Sequence, residues 1–432
     1  MSIQIELEPA GKACNYVPLA VLGYCLTRSQ FLQPIWDEVR LAGKTVKHTP
    51  QEKVQDILLA ILAGCRSLAH VNTKLRPELM LAAAWNRQAI AEQSNLSRQL
   101  DSFDEQQVEQ LRQANTKLLQ QHSQLLQHNW QKLVMLDIDS TILLASKKAE
   151  KSKLGFTGSA RRGSCRHVLR FTLAGYHESL LSLVYPGNRH GYEYGRSAFK
   201  KLLTIWPQLS TQATQVVIRT DAGLGTDKLM AYLLWQKFHL LMKGFSGRRT
   251  AAWVKQLPET SWLADETTAR WMARAPKQLR LGRHTDSYLL RYLDTKANFA
   301  HATLHTTLPL ADFALWNLYD QRATTEIEIR ADKSGLLLHL RRKHSFTAIS
   351  AWVILTDIAH NLLAWLQGWM LHGTRFAAFG PKRIVNELFC MPGCVHMDEN
   401  GRLQKVTLWP SHPYASDMLL CLQNLLKSFD LL

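Results

Sequence analysis

The chain has 432 residues, 52 Lys plus Arg against 35 Asp plus Glu, and a formal charge of +17. A hydrophobic share of 46% excludes a disordered polyelectrolyte, and the basic balance points to a polyanionic partner. Seven scattered cysteines and a start, MSIQIELEPAGK, without an apolar leader core speak against a secreted disulfide scaffold and for a reducing cytoplasm.

The first third reads as helical. Thr49-Pro50-Gln51-Glu52 combines a capping Thr, a Pro at the first helical position and a Glu at the third. Val54, Ile57, Leu58, Ile61 and Leu62 follow at helical spacing. Between this helix and the next lies 91–100, either a recognition helix carrying Ser94, Asn95 and Arg98 or a plain surface helix. Ser102 with Glu105 predicts a capping box opening a Gln-rich helix, whose Leu111, Leu118 and Leu125 read as core packing rather than a coiled coil.

From Gln131 the pattern changes. Short apolar runs at 134–139, 167–173, 180–184 and 215–221 predict strands, with a helix at 197–206 before the fourth and another at 227–239 leading to a fifth at Leu240. Three strands, helix, strand, helix, strand is a mixed α/β layout. The basic run 147–153 reads as a solvated loop or a phosphate-tracking one. From 244 to 311 the pattern loosens into short strand candidates, such as 288–292, among Trp253, Trp262 and Trp271. The chain then turns helical. The apolar stretch Phe346 to Leu371 holds Asp357, His360, Asn361 and Gln367, which predicts a buried helix and no membrane span. A hairpin near Gly401 and a helix over 418–426 close the chain. Cys390, Cys394 and His396 lack a second pair at zinc-finger spacing.

Asp139 and Asp221 close the first and fourth strands, and carboxylates aimed at one spot from strand ends hold hard cations such as Mg²⁺. Two such ions serve both the attacking and the leaving oxygen in phosphodiester chemistry. A third acid is needed, and Glu326 is the candidate. Tyr319, Arg322, Glu326 and Lys333 fall within a sector of about 60° if they share one helix; Arg322 and Lys333 then grip phosphates. The β-branched alternation over 324–329 allows a strand instead. Asp137 competes with Asp139, since both point to one side of the strand, and Glu328 competes with Glu326 without the spacing. Arg219 reads as a partner for an acid.

Tyr-x-x-Arg-x-x-x-Glu-x-x-x-x-x-x-Lys resembles the signature of bacterial insertion-sequence transposases of the DDE superfamily. Asp139-Ser140-Thr141, Arg219-Thr220-Asp221-Ala222-Gly223, Pro186-Gly187 and Ala359-His360-Asn361-Leu362 resemble further motifs of that family in the same order, with His360 in place of an aromatic. The resemblance implies a ribonuclease-H-like mixed-sheet core split by a mostly β insertion, behind a helical N-terminal DNA-binding region. The expected segments are 1–130, 131–243, 244–311, 312–373 and 374–432. It also implies that Asp139, Asp221 and Glu326 bind two Mg²⁺ ions, with Mn²⁺ as a substitute, and that Tyr319, Arg322 and Lys333 hold the DNA terminus. The implied activity is cleavage at terminal inverted repeats and transfer of the 3′-hydroxyl into target DNA, by a homodimer on double-stranded DNA, in the cytoplasm at a bacterial nucleoid. Relatives insert a Trp into the duplex to trap a flipped base, and no motif gives that role to Trp253, Trp262 or Trp271. Two other readings remain: a catalytically silent DNA-binding descendant, and a nuclease of the same fold without strand transfer.

Overall fold

The computed structural model describes residues 12–41, 43, 45–157, 162–210, 212–265, 267–310 and 312–431. The chain divides into two units, Met1–Leu118 with Ala331–Leu432, and Leu119–Arg330.

In the first unit, strand β1 (Ala13–Cys14) precedes a run of helices. Thr49 opens Pro50–Leu62 with the expected reciprocal cap, its hydroxyl accepting from Glu52 N while Glu52 accepts from Thr49 N. The box expected at Ser102 and Glu105 forms two residues later. Asp104 accepts from Gln107 N at 2.7 Å and Gln107 Oε1 from Asp104 N at 3.0 Å, while Ser102 bonds back to Gln99. The two frames overlap in the sequence, and the one whose side chains meet the first free N–H groups caps Glu105–His122. Leu111 and Leu118 are fully buried on that helix, as core packing requires. The candidate recognition segment is the helix Gln93–Asp101, in which Arg98 bonds Ser94 and Asn95 of its own helix.

The second unit holds a mixed sheet. Its strands are β2 (Val134–Leu144), β3 (Lys153–Phe156), β4 (Arg162–Leu173), β5 (Glu178–Pro186), β6 (Val216–Thr220), β7 (His239–Lys243), β8 (Leu263–Asp265), β9 (Arg270–Arg274), β10 (Asp286–Leu293) and β11 (Phe299–Thr306). The order is β3-β4-β2-β6-β7-β11-β10-β9-β8, with β5 also on β4. β2, β6 and β7 are parallel neighbours; the other pairs are antiparallel. Every residue of β6 is buried, as a central parallel strand covered on both faces demands. The helix Gly191–Leu209, longer than its sequence pattern suggests, sets Phe199 edge-on to Phe171 of β4 at 5.2 Å. The helix Asp312–Asp320 lays Leu315, Trp316 and Tyr319 over Val217, Leu241, Met272, Leu290 and Leu304. Strands β8–β11 do not stand apart from this core: β11 pairs Leu304 with Lys243 and Thr306 with Leu241, extending the same sheet. Trp253 and Trp262 pack with Ala273 and Leu289, and Trp271 lies against that cluster.

Back in the first unit, the helix Phe346–Leu366 continues to Leu371; it is long and apolar enough to cross a membrane, and it is buried within the protein. The hairpin β12 (Gly393–Met397) and β13 (Leu403–Leu408) turns at Gly401, φ +68°, and β1 completes its sheet. The Cys390 thiol donates to Val385 O, and Cys394 sits in register with Ala13. Ala415–Ser428 is the last described helix.

Candidate active site

Register decides which acids meet. β2 and β6 run parallel with Ile138 beside Thr220, and β6 and β7 with Thr220 beside Met242. The next residues on the three chains are Asp139, Asp221 and Lys243, so these stand in a row across neighbours about 5 Å apart. β2 does not end at Asp139. It runs on to Leu144 along β4, and Asp139 marks the point where it outruns β6.

Asp139 Oδ1 accepts from Ser140 N at 2.8 Å. Burial pushes its carboxyl up to about 6; Asp221 and Glu326 add to the rise, and Arg322 opposes it. Asp221 Oδ1 accepts from Gly223 N at 3.0 Å. The glycine two residues on, Gly225, lets this loop press on β7: a Cβ there would lie 1.7 Å from Lys243 O. Phe245 N donates to Gly225 O at 2.9 Å and fixes the approach.

Glu326 lies on the helix Ala323–Ser334, which excludes the alternative strand over 324–329. Tyr319 belongs to the preceding helix, and a turn at Gln321-Arg322 separates the two. The single four-residue helix face is therefore interrupted, because Arg322 N bonds Tyr319 O three residues back instead of continuing the four-residue ladder. Arg322 still joins both sides: Nη2 lies 2.5 Å from Glu326 Oε1 and Nη1 3.8 Å from Asp139 Oδ1. Tyr319 is buried and donates its hydroxyl to Thr220 O at 3.2 Å, one residue before Asp221. Lys333 sits in the last turn of the Glu326 helix, beyond the division between the units. Next to it, Asp332 bonds His360 at 2.9 Å, both fully buried in the first unit.

The competing acids have other partners. Asp137 is fully buried and takes Arg219 in a fork, Nε to Oδ1 at 2.5 Å and Nη2 to Oδ2 at 2.8 Å; Arg219 Nη1 also donates to Leu318 O. Glu328 pairs with His177. Lys243 was absent from the sequence expectations. Its ammonium lies 5.0 Å from the Tyr319 ring centre and 5.7 Å from that of Tyr292, and burial pulls its pKa down against the pull of Asp320, Asp221 and Glu326. Its only sequence signal is a cation closing an apolar strand.

The donors suit a hard divalent cation, being carboxylate oxygens. Burial is the main cause of the raised carboxyl of Asp139, with smaller contributions from Asp221 and Glu326, and a cation at the site would favour its ionised form. Among the described residues, though, no group of three or more His, Cys, Asp or Glu is placed to hold a metal ion. Glu326 is turned to Arg322.

A family model described as "Transposase DDE domain group 1" matches residues 30–429. None of the curated proteins matches. Among solved structures, the chain is similar to the piggyBac transposase synaptic complex with hairpin DNA, at 12% identity and TM-score 0.47, over 87% of this chain and 76% of that one. Transposase DDE domains generally use divalent metals. The chain belongs to the transposase DDE domain family, group 1.

Proposed function

We propose that the protein is the transposase of a bacterial insertion sequence. On this reading it binds the terminal inverted repeats, cleaves at the element boundary and joins the 3′-hydroxyl to target DNA. The observation that carries it is the placement of Asp139 and Asp221 side by side where the parallel pairing of β2 and β6 stops, with Glu326 tied to Asp139 through one guanidinium. The strand order β5-β4-β2-β6-β7, three antiparallel then two parallel, supports a ribonuclease-H-like core in 131–243, with the helices up to Arg330 in the same unit. The segment 244–311 is its insertion, and 1–130 is the region that reads the repeats.

Asp139, Asp221 and Glu326 would hold two Mg²⁺ ions, with Mn²⁺ as a substitute, and these supply Lewis-acid stabilisation of the attacking and leaving oxygens. The residues do the rest. Gly223 N and Ser140 N orient the two aspartates through their Oδ1 atoms. Tyr319 ties the end of β6 to the helix before Glu326, a positioning task rather than the direct hold on DNA expected for it. Arg322 and Lys333 supply positive charge for the DNA terminus, and Lys243 adds another cation beside Asp221. Water attacks the phosphorus at the element end and the bond to the 3′ oxygen breaks. The freed 3′-hydroxyl then attacks a target phosphodiester, and the target's own 3′ oxygen leaves. Two ends must be processed together, so a homodimer on duplex DNA, at the nucleoid, is the working form.

The test is cleavage of a labelled duplex holding the element's end and its flank, with Mg²⁺ or Mn²⁺. A nick at the boundary that vanishes in Asp221→Asn is expected, followed by transfer of the labelled 3′ end into a plasmid. Binding without cleavage under either metal overturns the enzymatic reading, and cleavage without transfer reduces it to a nuclease.

A further inference from the structure

The loop 275–285 joins β9 to β10 and contains Lys277, Arg280, Arg283 and His284 with no acidic residue. Five arginines elsewhere in this unit have carboxylate partners: Arg219 with Asp137, Arg249 with Asp227, Arg270 with Asp320, Arg274 with Asp286, and Arg291 with Glu259. Among the described residues, the side chains of Lys277, Arg280 and Arg283 have no such partner, and only His284 of the four meets an acid, Asp286 at 3.1 Å. Three cations sharing one loop without an acid raise the local positive potential, which favours an anion there.

The loop is built to hold them. Leu279 packs against the Trp253 and Trp262 cluster. Gln278 donates to Ala275 O at 3.1 Å and accepts from Ser287 N at 2.5 Å, closing the loop at its base. Gly282 turns the chain at φ +86°, and the Thr285 hydroxyl donates to Arg283 O. The cations rim a cavity of about 590 Å³.

Register also fixes its place. β10 enters the sheet at Asp286 opposite Thr306, which lies opposite Leu241. The loop before Asp286 therefore lies at the His239 end of β7, and His239 feels the charge of Arg283. Asp221 and Lys243 are at the other end, four strand residues or about 13 Å away.

We propose that the loop 275–285 is a phosphate-backbone site for double-stranded DNA, separate from the carboxylate site and reading no sequence. It rests on the DNA reading given above. Each phosphate neutralised releases counterions, so three contacts contribute about 2.7 to the slope of log affinity against log salt.

The test compares the full chain with Lys277→Gln/Arg280→Gln/Arg283→Gln and with the charge-keeping Arg280→Lys/Arg283→Lys. Binding to a labelled 30-base-pair duplex of arbitrary sequence is followed by anisotropy at 50 and 200 mM salt. The unaltered chain should lose about 40-fold more affinity across that step than the Gln variant. The Lys variant should keep the full salt response, which separates charge from folding. At saturating protein, cleavage by the Gln variant should match the unaltered chain. Equal salt slopes in the Gln variant and the unaltered chain overturn the site. So does a loss of slope seen on single-stranded RNA and absent on the duplex. If the unaltered chain fails to bind duplex at all, the DNA reading of the whole protein fails, a result distinct from equal slopes.

Discussion

Asp137 and Asp139 sit two residues apart on one strand and should answer the same amide substitution with opposite signs. Asp137→Asn removes the negative partner of Arg219 while that guanidinium stays 98% buried, its side chain 2% exposed. Breaking a buried ion pair from one side costs about 3–5 kcal/mol. At roughly 2–4 °C per kcal/mol for a unit of this size, melting falls by about 6–20 °C. Asp139→Asn does the reverse in metal-free buffer. Its carboxyl is pushed up from 3.8 to about 6 by burial, so the native state holds its proton more tightly than the unfolded chain does. Stability from this group is thus present below pH 3.8 and lost as pH rises through 6. A shift of this size corresponds to at most about 3 kcal/mol at neutral pH. The amide's own desolvation takes back part of that gain, which leaves about 1–2 kcal/mol of stabilisation. Thermal unfolding at pH 7.5 in EDTA, followed by circular dichroism, reads both. If Asp139→Asn melts as early as Asp137→Asn, the division of one acid to the frame and the other to the site is wrong.

Tyr319→Phe deletes the bond to Thr220 O. About 1 kcal/mol of stability should go, with cleavage slowed up to roughly tenfold and duplex affinity unchanged; an unaltered rate would remove Tyr319 from the positioning of Asp221. His305, fully buried against Ser287, has its pKa pulled down from 6.5 to about 4 by burial and by Arg249. The native state binds fewer protons there, so stability is complete above pH 6.5 and falls by up to about 3 kcal/mol as pH drops towards 4. Urea unfolding between pH 7.5 and 4.5 should show this fall, and His305→Gln should flatten it. Gly225→Ala places a Cβ 1.7 Å from Lys243 O, backbone that has no room to give. Destabilisation of about 3 kcal/mol or more is expected, and a melting point within 2–4 °C of the unaltered chain, about 1 kcal/mol, would refute the close packing of that loop on β7.

Local pattern made much of this legible. The apolar runs at 134–139, 167–173 and 180–184 lie in strands, the fourth does so over Val216–Thr220, and the cap at Thr49 forms as spelled. What the pattern left open were matters settled by partners far away in the chain. Alternation puts Asp137 and Asp139 on one side, and only the parallel register that sets Arg219 beside Asp137 distinguishes them. Ser102-x-x-Glu105 and Asp104-x-x-Gln107 are equally good frames until the first turn of the helix is placed. The break at Gln321-Arg322 has no Gly or Pro to announce it. Lys243 gains its position from a strand register that no sequence window contains.

Pairing of β11 with β7 bears on how this protein can be trimmed. A designer seeking a minimal catalytic fragment would cut 244–311 and splice the flanks. That deletion strips β7 of its neighbour and leaves a run of unpaired N–H and C=O groups on an apolar strand, a template for joining other chains edge to edge. The smallest soluble fragment should therefore retain the β10–β11 hairpin, and any shortening belongs at the outer strands β8 and β9, where the sheet already ends.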